Sequence, residues 1–299
     1  MFDRHLPMKK FRKLLGLSLA GMALSWVVAA CSPSETSNTS TASTNNSKPA
    51  NLTLVSYAVT QSAHEKIIPK FVKEWKEKTG QDIIFDQSYG GSGSQTRAVI
   101  DGLEADVVAL ALALDTQKIE KAGLIQSGWE KELPNDSIVH KSVGAIVKRD
   151  NNVKVEKWSD LANKDVKVIT ANPKTSGGAR WNFLALWGSV TQAGGTKKQA
   201  EDFVQSVFVN VPVLPKDARE ASDVFYKQGQ GNVLINYENE ILLAKEKGDT
   251  LPYVIPPDYN ISIDNPITIV DVNIDKHGTR KIADRKCFDL SFCYRCSTN

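Results

Sequence analysis

Two stretches combine glycine and hydroxyl residues in a pattern suited to holding an anion: Asp86-Gln87-Ser88-Tyr89-Gly90-Gly91-Ser92-Gly93-Ser94 and Asn172-Pro173-Lys174-Thr175-Ser176-Gly177-Gly178-Ala179-Arg180. Each lies where an apolar, strand-like run gives way to a helix-like one. At such a junction the first helical N–H groups lack intrahelical acceptors and the helix dipole presents roughly half a positive charge, so an oxyanion is stabilised there. Glycine lets the backbone approach the ion, and serine hydroxyls add donors. Read as plain tight turns with helix caps, the same residues need no ligand. Sharper enzyme motifs are missing. No G-x-x-x-x-G-K-[ST] occurs, and the surroundings of Ser92 lack the last glycine of both G-x-S-x-G and the dinucleotide fingerprint.

The elements that must position these loops follow from hydrophobic periodicity. Residues 51–57 read as a strand, and residues 63–79 as a helix with Ile67, Phe71 and Trp75 on one face, closed by Gly80. A strand at 82–86, the first loop at 88–94, a helix to about residue 103 and a nearly continuous apolar strand at 106–112 follow; a run apolar on both faces suits a central parallel strand. The second half repeats the pattern, with a strand at 166–170, a loop at 171–178 and an aromatic-rich helix through Trp181 and Trp187. A helix at 199–208, a short strand near 211–214 and a strand at 232–236 complete it. Strands alternating with helices predict an α/β chain with mainly parallel sheets. Ordered sequence of this length divides into two lobes, expected at 51–138 and 139–273, with hinge strands near 138–147 and 267–273.

Composition excludes several classes. The 299 residues are 41% hydrophobic and 24% charged, as in ordinary globular proteins, which excludes a wholly disordered, collagenous or multi-span membrane chain. The formal charge of +3 comes from 37 cations against 34 anions, but residues 1–30 hold Arg4, Lys9, Lys10, Arg12 and Lys13 against Asp3. Without that segment the balance is 32 against 33, so overall charge gives no support to a nucleic-acid partner.

The cationic start followed by an uncharged, mostly apolar run to Ala30 has the architecture of a secretory signal peptide, residues 1–30. Val28-Ala29-Ala30-Cys31 resembles a bacterial lipoprotein signal, in which the cysteine is lipidated and becomes the new N-terminus. Ordinary cleavage after an alanine and an uncleaved anchor are the alternatives. Residues 32–50 hold 13 Ser, Thr or Asn and no run able to bury apolar surface, so residues 31–50 read as a lipobox cysteine followed by a disordered tether.

The combination of Val55-Ser56-Tyr57, the first Gly/Ser loop, Glu104-Ala105-Asp106, Asn172-Pro173-Lys174, Ser176-Gly177-Gly178-Ala179-Arg180-Trp181-Asn182 and Glu238-Asn239-Glu240 resembles the periplasmic sulfate-binding proteins, in consistent order from about residue 51 to 280. These are the solute receptors of sulfate and thiosulfate ABC importers. The resemblance implies a two-lobed type II periplasmic-binding-protein fold closing by hinge strands. It implies no enzymatic activity, no catalytic residue, no cofactor and no metal. The implied partners are sulfate or thiosulfate, the membrane permease and ATPase subunits, and the membrane itself through Cys31, for a monomer tethered to the outer face of the inner membrane. Carried over by position, the anion donors are the Ala58 backbone, Ser92, the Ser176, Gly177 and Gly178 group, the Ala218 backbone and Tyr237. A buried dianion is tolerable only where many donors replace its water. A cavity of donors alone favours proton-free sulfate over hydrogen phosphate, whose proton needs an acceptor.

Three departures stand out. Tyr237 occupies the place of a family tryptophan; its hydroxyl donates but also accepts. Ala58 stands where relatives carry Asp, at a position needing only a backbone donor. Residues 274–299 read as a remnant C-terminal segment, of which 281–299 look unlike the family, with three of the four cysteines and no helical face; a frameshift or truncation is the expectation. Molybdate and phosphate stay open as alternative ligands. So does a secreted serine hydrolase, for which only His64 and His140 offer a base within the body.

Overall fold

Leu52 and Leu54 on the first strand contribute to one core cluster and Val55 to another, the period-2 alternation of a strand buried on both faces. The computed structural model describes residues 48–283. The expected signal peptide, Cys31, most of the tether and residues 284–299 with their cysteines lie outside the described residues.

The first sheet has the order β2-β1-β3-β9-β4, built from β1 (Ala50–Tyr57), β2 (Ile83–Gly90), β3 (Val107–Ala109), β4 (Ile138–Ser142) and β9 (Ile263–Ile269). Helices α1 (Gln61–Thr79), α2 (Ser92–Ile100), α3 (Ala113–Lys121) and α8 (Asp271–His277) belong to this lobe. The second sheet has the order β6-β7-β5-β8, from β5 (Gly144–Lys148), β6 (Val168–Ile169), β7 (Val233–Tyr237) and β8 (Tyr253–Val254). It carries α4 (Gly177–Thr191), α5 (Lys197–Val209), α6 (Ala218–Tyr226) and α7 (Glu238–Glu246). Its strands alternate as well: Ile146, Val233 and Ile235 join the core cluster around Trp158, while Ala145, Val147 and Leu234 join the one around Phe225.

The α/β architecture agrees with the reading of the sequence, and several details differ. The sheets are mixed: β1–β2, β1–β3 and β6–β7 are parallel, while β3–β9, β4–β9, β5–β7 and β5–β8 are antiparallel. Strands β4 and β9, expected in the hinge, pair within the first sheet. The chain therefore crosses between sheets at Val143 and again at 255–262, the second crossing preceding the expected 267–273. No strand forms near residues 211–214, because Pro212 and Pro215 lack the N–H a ladder needs. Helix α1 buries His64, Ile68, Phe71 and Trp75, leaving Ile67 only partly covered. A strict four-residue spacing drifts by about 40° per step around a 3.6-residue helix, so the buried stripe alternates steps of four and three. Ile282 and Ala283 pack into the first-sheet core, so the segment expected to depart from the family at residue 281 begins as part of it.

The start of the central strand β3 is tied by His277, whose Nδ1 lies 2.9 Å from Asp106 Oδ1 and whose Nε2 lies 3.0 Å from Glu104 Oε2. Asp106, fully buried, also accepts from the Thr53 N–H and the Thr279 hydroxyl. The hydrogen bonds to Asp106 and Glu104 hold the imidazole above its ordinary 6.5, since only the imidazolium donates from both nitrogens. A pKa raised on folding gives stability that is full below the unfolded value and lost as pH rises through the folded one. The urea midpoint of the wild type is therefore expected to fall more between about pH 6 and about pH 9 than that of His277→Gln; parallel pH profiles contradict this role.

Candidate functional site

The ends of β1, β2 and β7 and the N-termini of α2, α4 and α6 meet at one cavity with about 170 Å³ of atom-free space. Five separate segments line it, contributing Tyr57, Ala58 and Val59, then Gly90, Gly91 and Ser92, Ser176, Gly177 and Gly178, Asp217 and Ala218, and Tyr237. All seven residues expected from the sequence lie on this cavity. Tyr57, Val59 and Asp217 also line it without having been anticipated. Asp217 had a signal in the sequence, because an Asp three residues before Glu220 marks a helix start.

Each helix presents its start to the cavity. The loop expected at 88–94 is shorter than predicted: β2 runs to Gly90 and α2 begins at Ser92, leaving Gly91 as the link. A Cβ on Gly91 would lie 2.5 Å from the Thr175 carbonyl oxygen, so only glycine allows the two Gly/Ser segments to touch. Ser176 caps α4 by accepting the Ala179 N–H at 3.2 Å, which leaves its own hydroxyl proton free. Asp217 caps α6 by accepting the Glu220 N–H at 2.9 Å. The backbone N–H groups of Ser92, Gly177, Gly178 and Ala218 stand in the first helical turn, without intrahelical acceptors.

The hydroxyl of Tyr237 completes the wall. The residue is 2% exposed, and its oxygen is buried with no hydrogen-bond partner among the described residues. Burial pushes its pKa far above the usual phenol value, so it stays protonated and able to donate. A Cβ on Gly178 would lie 2.7 Å from Tyr237 Cε2; the glycine lets the ring pack against the start of α4.

Ser92 offers less than its hydroxyl suggested. Its Oγ donates to Asp115 Oδ2 at 2.7 Å and accepts the Ala111 N–H at 3.1 Å, so its only proton is committed and its backbone N–H is what faces the cavity. Asp115 is fully buried, and Arg180 Nη1 reaches its Oδ1 at 2.7 Å from the other lobe. Burial pushes the Asp115 carboxyl up, but Arg180, Ser92 and Lys118 outweigh it and hold the pKa below the usual range. Arg97 donates to the Lys174 carbonyl at 3.2 Å, so both arginines following the loops serve contacts between the lobes. Further interlobe bonds run from Gly93 N–H to the Thr175 carbonyl at 2.9 Å and from Trp181 Nε1 to the Ala111 carbonyl at 2.8 Å. Arg219 pairs with Glu240 within its lobe at 2.8 Å and reaches the Val59 carbonyl across the gap at 3.1 Å.

Neither histidine considered as a base lines the cavity: His64 bonds the Tyr89 hydroxyl and His140 bonds Asn265. The bacterial extracellular solute-binding protein family model matches residues 52–285, spanning both lobes and every segment of the cavity. The chain belongs to that family. This solute-binding protein is therefore a transport receptor and not an enzyme, which sets aside the serine-hydrolase alternative. A sulfate-binding protein of Synechocystis sp. is 64% identical over 90% of this chain and 77% of its own. A thiosulfate-binding protein of Pseudomonas aeruginosa is 37% identical over 77% of this chain and 70% of its own. Among solved structures, the sulfate-binding protein SubI from Mycobacterium tuberculosis H37Rv superposes with a TM-score of 0.71 at 32% identity, covering 81% of this chain and 82% of that one. Among the described residues of the receptor, no grouping of His, Cys, Asp and Glu could hold a metal ion, and no helix is long and apolar enough to cross a membrane.

Replacing Ser92 by alanine strands the Ala111 N–H and removes one donor from Asp115, a cost of about 1–3 kcal/mol for a buried polar group left unpaired. Calorimetric melting of Ser92→Ala should show a lower Tm, by about 2–4 °C for each kcal/mol. An unchanged Tm contradicts the committed hydroxyl.

Proposed function

We propose that the cavity binds one tetrahedral sulfur oxyanion, sulfate or thiosulfate, and that the receptor delivers it to the permease and ATPase subunits of an ABC importer. The Tyr237 hydroxyl carries this reading: it is buried on the cavity wall without an acceptor, beside the free N–H groups of three helices. A buried donor left unpaired costs about 1–3 kcal/mol, and an oxyanion supplies its acceptor. The relatives named for sulfate and thiosulfate support the same chemistry.

In this proposal Ala58, Ser92, Gly177, Gly178 and Ala218 contribute backbone N–H groups, while Ser176 and Tyr237 contribute hydroxyls. The ion is desolvated and held by local dipoles at three helix starts, with no cation facing it. Arg180 and Arg219, the nearest arginines in sequence, are spent on Asp115 and Glu240. The crossings at Val143 and 255–262 serve as the hinge, and the interlobe bonds of Gly93, Trp181 and Arg219 form as the lobes close. One copy carries one ion, and lipidated Cys31 holds the receptor at the outer face of the membrane. Release of Cys31→Ser into the soluble periplasmic fraction is the expected sign of that anchor, and unchanged membrane retention contradicts it.

Calorimetric titration with sulfate, thiosulfate and molybdate tests the ligand. Sulfate or thiosulfate should bind more tightly than molybdate, and the absence of binding by both sulfur anions refutes the reading. Losing one hydrogen bond to a charged ligand costs about 1.5–3 kcal/mol, so Tyr237→Phe and Ser176→Ala are each expected to weaken the favoured anion by roughly 10- to 100-fold. Unchanged affinity in both variants places the ion elsewhere.

A further inference from the structure

The two crossings between the sheets are held side by side by one side chain. Val143 alone joins β4 to β5, and residues 255–262 lead from β8 to β9. Strand β8 pairs with β5 through Tyr253 opposite Val147 and Val254 opposite Ile146; carried on, that register sets Pro256 opposite Gly144. Proline has no N–H to give, so the ladder stops there. Asn260 supplies what the ladder lacks: its Nδ2 donates to the Gly144 carbonyl at 2.8 Å, and its Oδ1 accepts the Gly144 N–H at 3.1 Å. The same Oδ1 accepts the Ile261 N–H at 2.9 Å, which fixes the carboxamide against its own backbone. One residue earlier, the Tyr259 carbonyl accepts from Nε1 of Trp158 at 2.6 Å, and that indole is buried in the core of the second lobe. On the first-lobe side the crossings are joined by the pairing of Ser142 with Ile263. Between these two ties stand only Val143 on one crossing and Ile261 and Ser262 on the other. Val143 keeps a bond of its own, its carbonyl accepting the Glu238 N–H at 3.0 Å.

We propose that Asn260 is the positioning residue of the hinge: its carboxamide clamps the two crossings together, so that the lobes turn about Val143 and Ile261–Ser262 as a single axis. The inference rests on the reading of the cavity as a site that two lobes close over, and not on which oxyanion enters. Two short links that bend independently let lobes twist and slide as well as close. Clamped side by side, they favour the one rotation that brings α2 of the first lobe to α4 and α6 of the second. An ion that takes donors from both lobes is gripped only where those donors are in register. Its apparent affinity therefore scales with the fraction of receptor that reaches this arrangement. Asn260 raises that fraction without touching the ion, since it does not line the cavity. Aspartate is no substitute for it. A carboxylate still accepts from the Gly144 and Ile261 N–H groups, but it sets a second acceptor against the Gly144 carbonyl.

The test compares the full chain with Asn260→Asp and Asn260→Ala, by small-angle X-ray scattering without ligand and by calorimetric titration with sulfate and thiosulfate. Asn260→Asp keeps the size of the side chain, so a folding defect in the alanine variant leaves the aspartate variant to be read. Without ligand, both variants are expected to show a larger radius of gyration than the wild type. They should also bind the anion that the wild type favours about 3- to 10-fold more weakly. A role in packing alone lowers the Tm and leaves both of these readouts where they were. Ligand-free scattering that superposes on the wild type's, or an affinity within about twofold of it, overturns the role of Asn260 and leaves the oxyanion reading intact. A wild type that binds the anion with no change in its scattering also overturns it, because there is then no closure to guide. A wild type that binds neither anion removes the oxyanion reading, and the ligand-free scattering of the variants still decides the hinge.

Discussion

Backbone N–H groups at a helix start need acceptors, and here three helices bring that need to the same point. Gly91, Ser176 and Asp217 stand at the N-caps of α2, α4 and α6, and the N–H groups that follow them face one small cavity. The side-chain caps meet only part of the demand: Ser176 serves Ala179 and Asp217 serves Glu220, each at the third helical position. The first two N–H groups of α4 and α6 and the first of α2 are left for whatever enters, the second of α2 being given to the Thr175 carbonyl. Both sheets follow from this constraint, since each strand end must stop where the next helix start reaches the same space.

Holding these starts together requires contacts that are themselves costly unless complete. Asp115 is an example. A fully buried carboxylate is tolerated because Arg180 arrives from the opposite lobe, Lys118 from its own helix, and Ser92 from the cavity wall. One serine thus connects the ion pair to the place where the chain bends into α2. Around the cavity, Tyr57, Val59, Ala111, Leu112, Ala218, Tyr237 and Ile263 form a small apolar cluster that both lobes share, so water is kept from the polar contacts.

Much of this was legible in the sequence because it is local. Glycine beside serine at a strand-to-helix junction marks both loops, and Asp217 with Glu220 marks a capped helix start. What was not legible depends on distant pairing. Nothing near β5 says that its neighbours, β7 and β8, run antiparallel to it, and nothing near β9 returns it to the first sheet. Asp115 and Arg180 lie 65 residues apart, so their pairing has no local signature. Tyr237 could be placed only by resemblance.

Arg180 and Arg219 have their charge cancelled where they sit, against Asp115 and Glu240. A field made of neutral dipoles fades within the first helical turn, whereas one made of free cations reaches outward over a Debye length of about 8–10 Å in physiological salt. In the proposed binding mode these two arginines therefore add little long-range steering. Capture in that mode depends on diffusion and on how often the lobes stand apart, and the grip on the ion should change little between dilute and concentrated salt.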